Sequence, residues 1–406
     1  MKVAQTIFAT GSIFTLAVGA LTLAGCATSD DNEEQQADEL DGTVQEPTAA
    51  VCGGGRFVCK SHVRVDVHNR IKPFAVPSGF GPADLAAAYH LNPAITSTAT
   101  IAIVDAFDYP NAESDLATYR STFGLPPCTV ASGCLTIFNP THAGAQPAND
   151  DWNLEAALDL DMASAACPTC KLVLVEATND TGNDLFSEQN NAAALAGVVS
   201  ISNSWGTSGS STDPASDTQF FTHTQAVNTF VSSGDSGNTG RTGDYPSTSS
   251  HVIAVGGTHL VKSTTAARGF TETVWSGAGS TCSRFIAEPA FQKGTVPSTA
   301  CSNRAASDIS AVADPNTGVA VFNKNDGGFI VVGGTSASSP FVAGVFARYG
   351  ISGASHDASF VYSHKTALFD ITSGSNGSCR SALCKAAAGW DGPTGLGTPN
   401  GDLLAP

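Results

Sequence analysis

Three short stretches carry residue types that could do chemistry together. Ser336 stands in Gly333-Gly334-Thr335-Ser336-Ala337-Ser338-Ser339-Pro340, ahead of the apolar run Phe341-Val342-Ala343-Gly344-Val345-Phe346. A serine held between a glycine-rich turn and a helix start has a fixed direction and lies at the positive end of the helix dipole, and both suit a nucleophile. Gly-Thr-Ser alone is a weak signal, because Ser and Thr are ordinary helix caps. The proline four residues on and the small apolar helix behind it make the string far more specific. In the second stretch, Trp152 to Pro168, Glu155 and Asp159 are four residues apart, which puts both carboxyls on one helix face. Leu154, Leu158 and Met162 turn toward a core. Two like charges at that spacing repel unless a proton is shared between them. Sharing raises one pKa, as a general base in a mildly acidic medium requires. The third stretch, Phe230-Val231-Ser232-Ser233-Gly234-Asp235-Ser236-Gly237, reads as a strand running into a tight turn. By itself Asp235 is a turn or cap residue.

These residues need a frame. Thr100 to Asp105 is an apolar run of buried-strand type, and Lys171 to Glu176, Val198 to Ser202, Asn228 to Ser233 and Val252 to Val255 read as further strands. Asn111 to Phe123, Asp151 to Ala166, Asn183 to Gly197 and Ser336 to Tyr349 read as helices. Strands alternating with helices predict an α/β fold with a mostly parallel central sheet covered on both faces. One domain is expected over residues 77–406, preceded by an N-terminal extension at 51–76.

The serine string resembles the serine box shared by subtilisins and sedolisins. A subtilisin takes its base from a histidine segment and an Asp at the end of the first strand. Asp105 sits at such a strand end, but in Asn139-Pro140-Thr141-His142-Ala143-Gly144 the base position holds Asn139, and His142 matches the second, non-catalytic histidine. Glu155-x-x-Leu158-Asp159, followed by a small-residue helix and Cys167-Pro168, resembles instead the sedolisins, the serine-carboxyl peptidases. That resemblance covers nearly everything after residue 77, including Ile201 to Gly206, His251 to Thr258 and Arg304 to Pro315. It implies a subtilisin-like three-layer fold and an endopeptidase working through an acyl-enzyme on Ser336. Glu155 would be the base and Asp159 the group that orients it, chosen over Asp161 and Asp151 by its offset from the proline. A protonated Asp235 would donate to the oxyanion, which implies activity in acid. The loops Phe369 to Gly377 and Ala387 to Gly397 offer oxygen donors among glycines, a composition suited to Ca²⁺. The resemblance assigns one structural calcium to the carboxylates of Asp370 and Asp391 and the carbonyls of Ile371, Ala387 and Gly389, with Ala387 where the family usually has Gly. Most of the family begins with a large prodomain, whereas only about fifty residues separate Cys26 from the peptidase region here.

Composition fits an exported protein. Of 406 residues 42 % are hydrophobic, enough for a large core, and only 14 % are charged. The net charge of −17 argues against nucleic-acid binding. Residues 1–26 read as a signal peptide ending in Leu23-Ala24-Gly25-Cys26, which resembles a lipobox, so lipid anchoring at Cys26 or secretion is expected. Residues 27–50 carry eight acidic and no basic residues and are expected to be a disordered linker. Eleven cysteines indicate an oxidising compartment. Apart from Cys26 they fall into close pairs, Cys52/Cys59, Cys128/Cys134, Cys167/Cys170, Cys282/Cys301 and Cys379/Cys384, suggesting local disulfides with connectivity left open by spacing. Cys167-Pro168-Thr169-Cys170 has redox-motif spacing but lies after a helix and before a strand, which favours a structural bridge. The expected partner is a protein or peptide substrate met by a monomer. The alternative is a non-catalytic lipoprotein using the same fold for binding, and the intact set Glu155, Asp159, Asp235 and Ser336 speaks for the enzyme.

Overall fold

The computed structural model describes residues 45–139, 148–351 and 357–404. The central sheet is built from β1 (Thr100–Ala106), β2 (Leu135–Phe138), β3 (Lys171–Ala177), β4 (Val198–Asn203), β5 (Asn228–Ser232), β6 (Ile253–Lys262), β7 (Phe270–Val274) and β8 (Ile309–Val312). Its order is β7-β6-β5-β4-β1-β3-β2, with β8 also paired to β6. Every pairing is parallel except the β6–β7 hairpin at one edge. Ile101 to Val104 of β1 are fully buried. That continuous apolar run is what a parallel strand covered on both faces requires.

The helices are α1 (Pro82–Ala88), α2 (Ala112–Thr122), α3 (Asp150–Ala166), α4 (Gly182–Ala194), α5 (Asp213–Phe220), α6 (Thr335–Arg348) and the short α7 (Ser359–Ser363) among the described residues. α2 packs on α3 and α3 on α6, while α4 packs on α5. Both α3 and α4 touch β1 and β3 without a substantial contact to each other, so they cover opposite faces of the sheet. The result is the expected three-layer α/β arrangement. β6 runs to Lys262, beyond the expected Val255, because its outer half continues into the hairpin with β7. α4 stops at Ala194, short of the expected Gly197, because the chain there turns through Gly197 at φ +84° to enter β4.

The segment before the sheet is woven into the domain. Val58–Cys59 pairs antiparallel with the strand Trp205–Ser208. His62–Arg64 pairs with Thr48–Ala50 on one side and with Gly328–Gly333 on the other. The ten cysteines form the five local disulfides that their spacing suggested: Cys52–Cys59, Cys128–Cys134, Cys167–Cys170, Cys282–Cys301 and Cys379–Cys384. The signal segment, Cys26, most of the acidic segment and His142 lie outside the described residues.

Candidate active site

α3 begins where Asn149 Oδ1 accepts the N–H groups of Asp151 and Trp152, with Asp150 and Asp151 in the first turn. From Trp152 to Ala166 every residue is buried. The acidic face is therefore not a solvated one: Glu155 and Asp159 have no exposed surface. α6 lies close against α3, so close that a Cβ on Gly344 would sit 2.6 Å from Cβ of Ala166. The alanine-rich second half of α3 and Gly344 are what allow that approach. Asp161 belongs to a different environment, accepting the N–H of Phe322 at 3.1 Å.

Ser336 is the second residue of α6, and Pro340 removes the helical N–H that would otherwise bond its carbonyl. The turn before it runs through Gly334 at φ +104°. A side chain there would collide with the Lys60 carbonyl oxygen and with Asp235 Oδ2, so only glycine fits. Asp235 follows the end of β5. Its Oδ1 accepts both the N–H and the hydroxyl of Thr335, each at 2.8 Å, while the buried Oδ2 has no hydrogen-bond partner. Burial pushes the Asp235 carboxyl up to about 6, against the opposing pull of His62 and the Thr335 donors. Asp235 is thus an acid held above its ordinary range, and its free oxygen and the Lys60 carbonyl converge over Gly334.

The proton-accepting side is a nest of buried carboxyls. Asp159 is held by the Ser204 hydroxyl, at 2.9 and 2.7 Å to its two oxygens. Glu155 Oε2 accepts the Ser61 hydroxyl, and Glu155 Oε1 has no partner. Burial raises both acids, and the neighbouring Asp105 carboxyl raises them further. Asp105, at the end of β1, has both oxygens buried and unpartnered, and burial together with Glu176 pushes it up to about 8. The Ser336 hydroxyl donates to the Ser204 carbonyl at 3.2 Å, and it also favours the ionised form of Glu155. The four residues singled out in the sequence are therefore brought together at the carboxyl ends of β1, β4 and β5, where open parallel sheets build their sites. Three further residues join them. Ser204 lies within the quoted Ile201–Gly206 stretch, but nothing in its spacing marked it. Asp105 was legible only as a strand-end acid, while Lys60 lies in a segment without a motif.

Ser336 has no exposed surface, because the chain's own Lys60 and Ser61 cover it. The Ser336 N–H donates to the Lys60 carbonyl at 2.9 Å, and its hydroxyl oxygen accepts the Lys60 N–H at 3.0 Å. Asn139, in the segment that resembles the subtilisin histidine box, bonds Glu176 instead.

At the other candidate site Asp391 is buried and Asp370 exposed. Asp391 Oδ1 accepts the N–H and hydroxyl of Thr394, its Oδ2 accepts the Ala387 N–H at 3.2 Å, and Asp370 Oδ2 accepts the Gly389 N–H at 2.9 Å. Burial pushes Asp391 up to about 7, with Asp370 adding to the rise. No three His, Cys, Asp or Glu side chains converge on a metal position among the described residues. A site here rests on two carboxylates and backbone carbonyls. The two carboxylates, on separate loops yet near enough for Asp370 to raise Asp391, are hard oxygen donors of the kind that suits a hard cation.

The parallel sheet and the buried serine–carboxyl cluster define a class. The subtilase family model matches residues 141–350, and the chain belongs to that family. Within it the chain falls with the sedolisins. It is 31 % identical to kumamolisin from Bacillus sp. (strain MN-32) over 362 residues, 81 % of this chain and 64 % of that protein. It is 28 % identical to sedolisin from Pseudomonas sp. (strain 101) over 356 residues, 79 % of this chain and 60 % of that one. The chain thus spans less than two thirds of the length of these curated relatives. Among solved structures, Pseudomonas sedolisin, a serine-carboxyl proteinase complexed with two molecules of pseudo-iodotyrostatin, superposes with a TM-score of 0.68 at 25 % identity, covering 81 % of this chain and 98 % of that one.

Proposed function

We propose that this chain is a serine-carboxyl endopeptidase active in acid. The observation that carries the reading is the placement of the Lys60 carbonyl on the Ser336 N–H, with the nucleophilic hydroxyl on the N–H of the same residue and the free oxygen of Asp235 alongside. Glu155 takes the Ser336 proton as the hydroxyl attacks. Asp159, fixed by Ser204, shares a proton with Glu155 and tunes its basicity. The developing oxyanion accepts from the Ser336 N–H and from protonated Asp235. Glu155 then returns the proton to the departing amine, and water completes the cycle through the acyl-enzyme. Digestion of an unfolded protein across pH by the purified chain tests this. Cleavage in acid that stops on Ser336→Ala supports the reading, and no cleavage at any pH overturns it.

Five disulfides in the described residues suit an extracellular setting, and none of the described helices is long and apolar enough to cross a membrane. We assign the chain to the exported proteins, working as a monomer and held to the envelope through lipid on Cys26 or released.

The Asp370/Asp391 loops would hold one calcium ion, through those two carboxylates and the Ile371, Ala387 and Gly389 carbonyls. When bound, the ion neutralises the two acids and ties the loops together. Excess calcium should raise the melting temperature of the wild type by several degrees, since a ligand bound only to the native state stabilises it by mass action. Asp370→Asn should lose that calcium-dependent increment. Melting curves of the wild type that coincide with and without the ion would remove the site.

A further inference from the structure

Asp235 can serve an oxyanion only while the turn that carries it keeps its place. That turn leaves β5 at Ser233 and comes back through Gly237 at φ +66°. Both of its ends are fastened to one neighbouring segment, residues 277–280. Ahead of Asp235, the Gly234 carbonyl accepts the Gly279 N–H at 2.6 Å, and the Ser233 hydroxyl donates to the Gly279 carbonyl at 2.9 Å. Behind it, the Gly237 N–H donates to the Gly277 carbonyl at 2.8 Å, and the Gly237 carbonyl accepts the Ser280 N–H at 3.3 Å. The two backbones are so close that a Cβ on Gly279 would collide with the Ser233 carbonyl oxygen. Thr335 therefore aims the Asp235 carboxyl, while the backbone beneath it hangs on residues 277–280.

Asn376 ties that segment to the turn. Its Nδ2 donates to the Ala278 carbonyl at 2.6 Å and to Ser280 Oγ at 2.9 Å. Its carbonyl accepts the Asn238 N–H at 2.9 Å. Gly237 passes so close beneath that a Cβ there would lie 2.5 Å from the same oxygen. Asn238 closes the junction from the turn side, its Nδ2 meeting Ser280 Oγ at 2.8 Å and the Leu383 carbonyl at 3.3 Å. The Asn376 N–H is spent on the Cys384 carbonyl at 3.1 Å, inside the loop that the Cys379–Cys384 bridge closes. Asn376 is buried, and its Oδ1 has no partner among the described residues. An acceptor left empty inside the fold costs stability. What fixes the residue type is thus the pair of donors on Nδ2, which a side chain of the same size without an amide would not supply.

We infer that Asn376 is a positioning residue for peptide hydrolysis: it locks residues 277–280 to the Asp235 turn, so that the free Asp235 Oδ2 stands where the oxyanion forms. This rests on the peptidase reading above and adds a group to its machinery. Asn376 acts through the turn and not on the reacting atoms. Without its amide, residues 277–280 lose their outer support, and Gly234 and Gly237 can shift with them. A donor displaced by about an ångström holds the transition state less well, while ground-state binding of the peptide is kept. The loss therefore falls on kcat.

The test uses the purified full chain in acid. Asn376→Ala should melt cooperatively and lower kcat by about tenfold to a hundredfold, with KM within about twofold of wild type. A peptide aldehyde, whose adduct with the Ser336 hydroxyl puts an oxygen in the oxyanion position, should lose affinity by a similar factor. The same peptide ending in a primary amide should bind the variant as it binds wild type. In an Asp235→Ala background Asn376→Ala should change kcat by no more than about twofold, because the donor it positions is gone. Asn238→Ala opens the same junction from the turn side and should show the same split between kcat and KM. It carries the test if Asn376→Ala does not fold. An unchanged kcat in the folded variants, or a loss that multiplies in full onto Asp235→Ala, would overturn this inference and leave the peptidase reading standing. No hydrolysis by wild type at any pH would overturn the two together.

Discussion

Glu155→Gln and Ser336→Ala should each lower kcat for peptide hydrolysis by about three orders of magnitude or more, the scale seen when members of a nucleophile–base unit are removed. Gln keeps the shape of Glu155 and can still meet the Ser61 hydroxyl, but it cannot take the Ser336 proton. Ala at 336 removes only an oxygen that meets the Lys60 N–H, the Ser204 carbonyl and Glu155, so packing is spared. Both variants should therefore melt as cooperatively as the wild type. Glu155→Gln should gain stability near neutral pH, because it replaces a buried acid held above its ordinary range by burial and by Asp105. His142→Ala should retain most activity, since among the described residues the proton acceptor that meets the Ser336 hydroxyl is the Glu155 carboxyl. Single-turnover kinetics on the purified variants reads all three. A dead His142→Ala beside an active Glu155→Gln would hand the chemistry to a histidine base and sink the carboxyl assignment.

The parts of the site written in local spacing were legible before the fold was known. Glu155 and Asp159 share a face because helices repeat every 3.6 residues. Ser336 is aimed because a glycine turn and a helix start flank it. Asp235 ends a strand whose apolar run is plain in the sequence. What could not be read was long-range. Ser204 reaches Asp159 across 45 residues, and Lys60 reaches Ser336 across 276, through pairing of extended segments that carry no periodic signal. The extent of burial was not legible for the same reason. Asp150 and Asp151 of the acidic helix are exposed, but from Trp152 on, Glu155, Asp159 and Asp161 included, α2, α6 and the sheet enclose it. The charge density that makes it look like surface is what the chemistry uses.

Asp235 sets the remaining expectation, an activity that is lost as pH rises through about 6, where this carboxyl gives up its proton. Below that value Asp235 can donate from its free Oδ2, and above it the same oxygen repels the oxyanion it should hold. On the acid side, activity falls when Glu155 and Asp159 no longer have an ionised member between them. The profile is a bell with its maximum below neutrality. Stability moves in the same direction. Asp105 and Asp235 are raised in the fold, to about 8 and about 6, above the 3.8 of an ordinary Asp. An acid whose folded pKa is raised contributes stability that is full below the unfolded pKa and is lost as pH rises through the folded one. The melting temperature should therefore decline between about pH 4 and 8. Brief exposure to pH 8 followed by assay in acid separates the two effects, since titration of Asp235 reverses and unfolding at elevated temperature need not. Asp235→Asn keeps a donor at every pH, so its alkaline limb should move upward by a unit or more, whatever its maximal rate, and its melting temperature should decline less with pH. If the wild type peaks above neutral pH, or if Asp235→Asn leaves the alkaline limb in place, the oxyanion is held by another group, and the unpartnered oxygen over Gly334 has no part in the reaction.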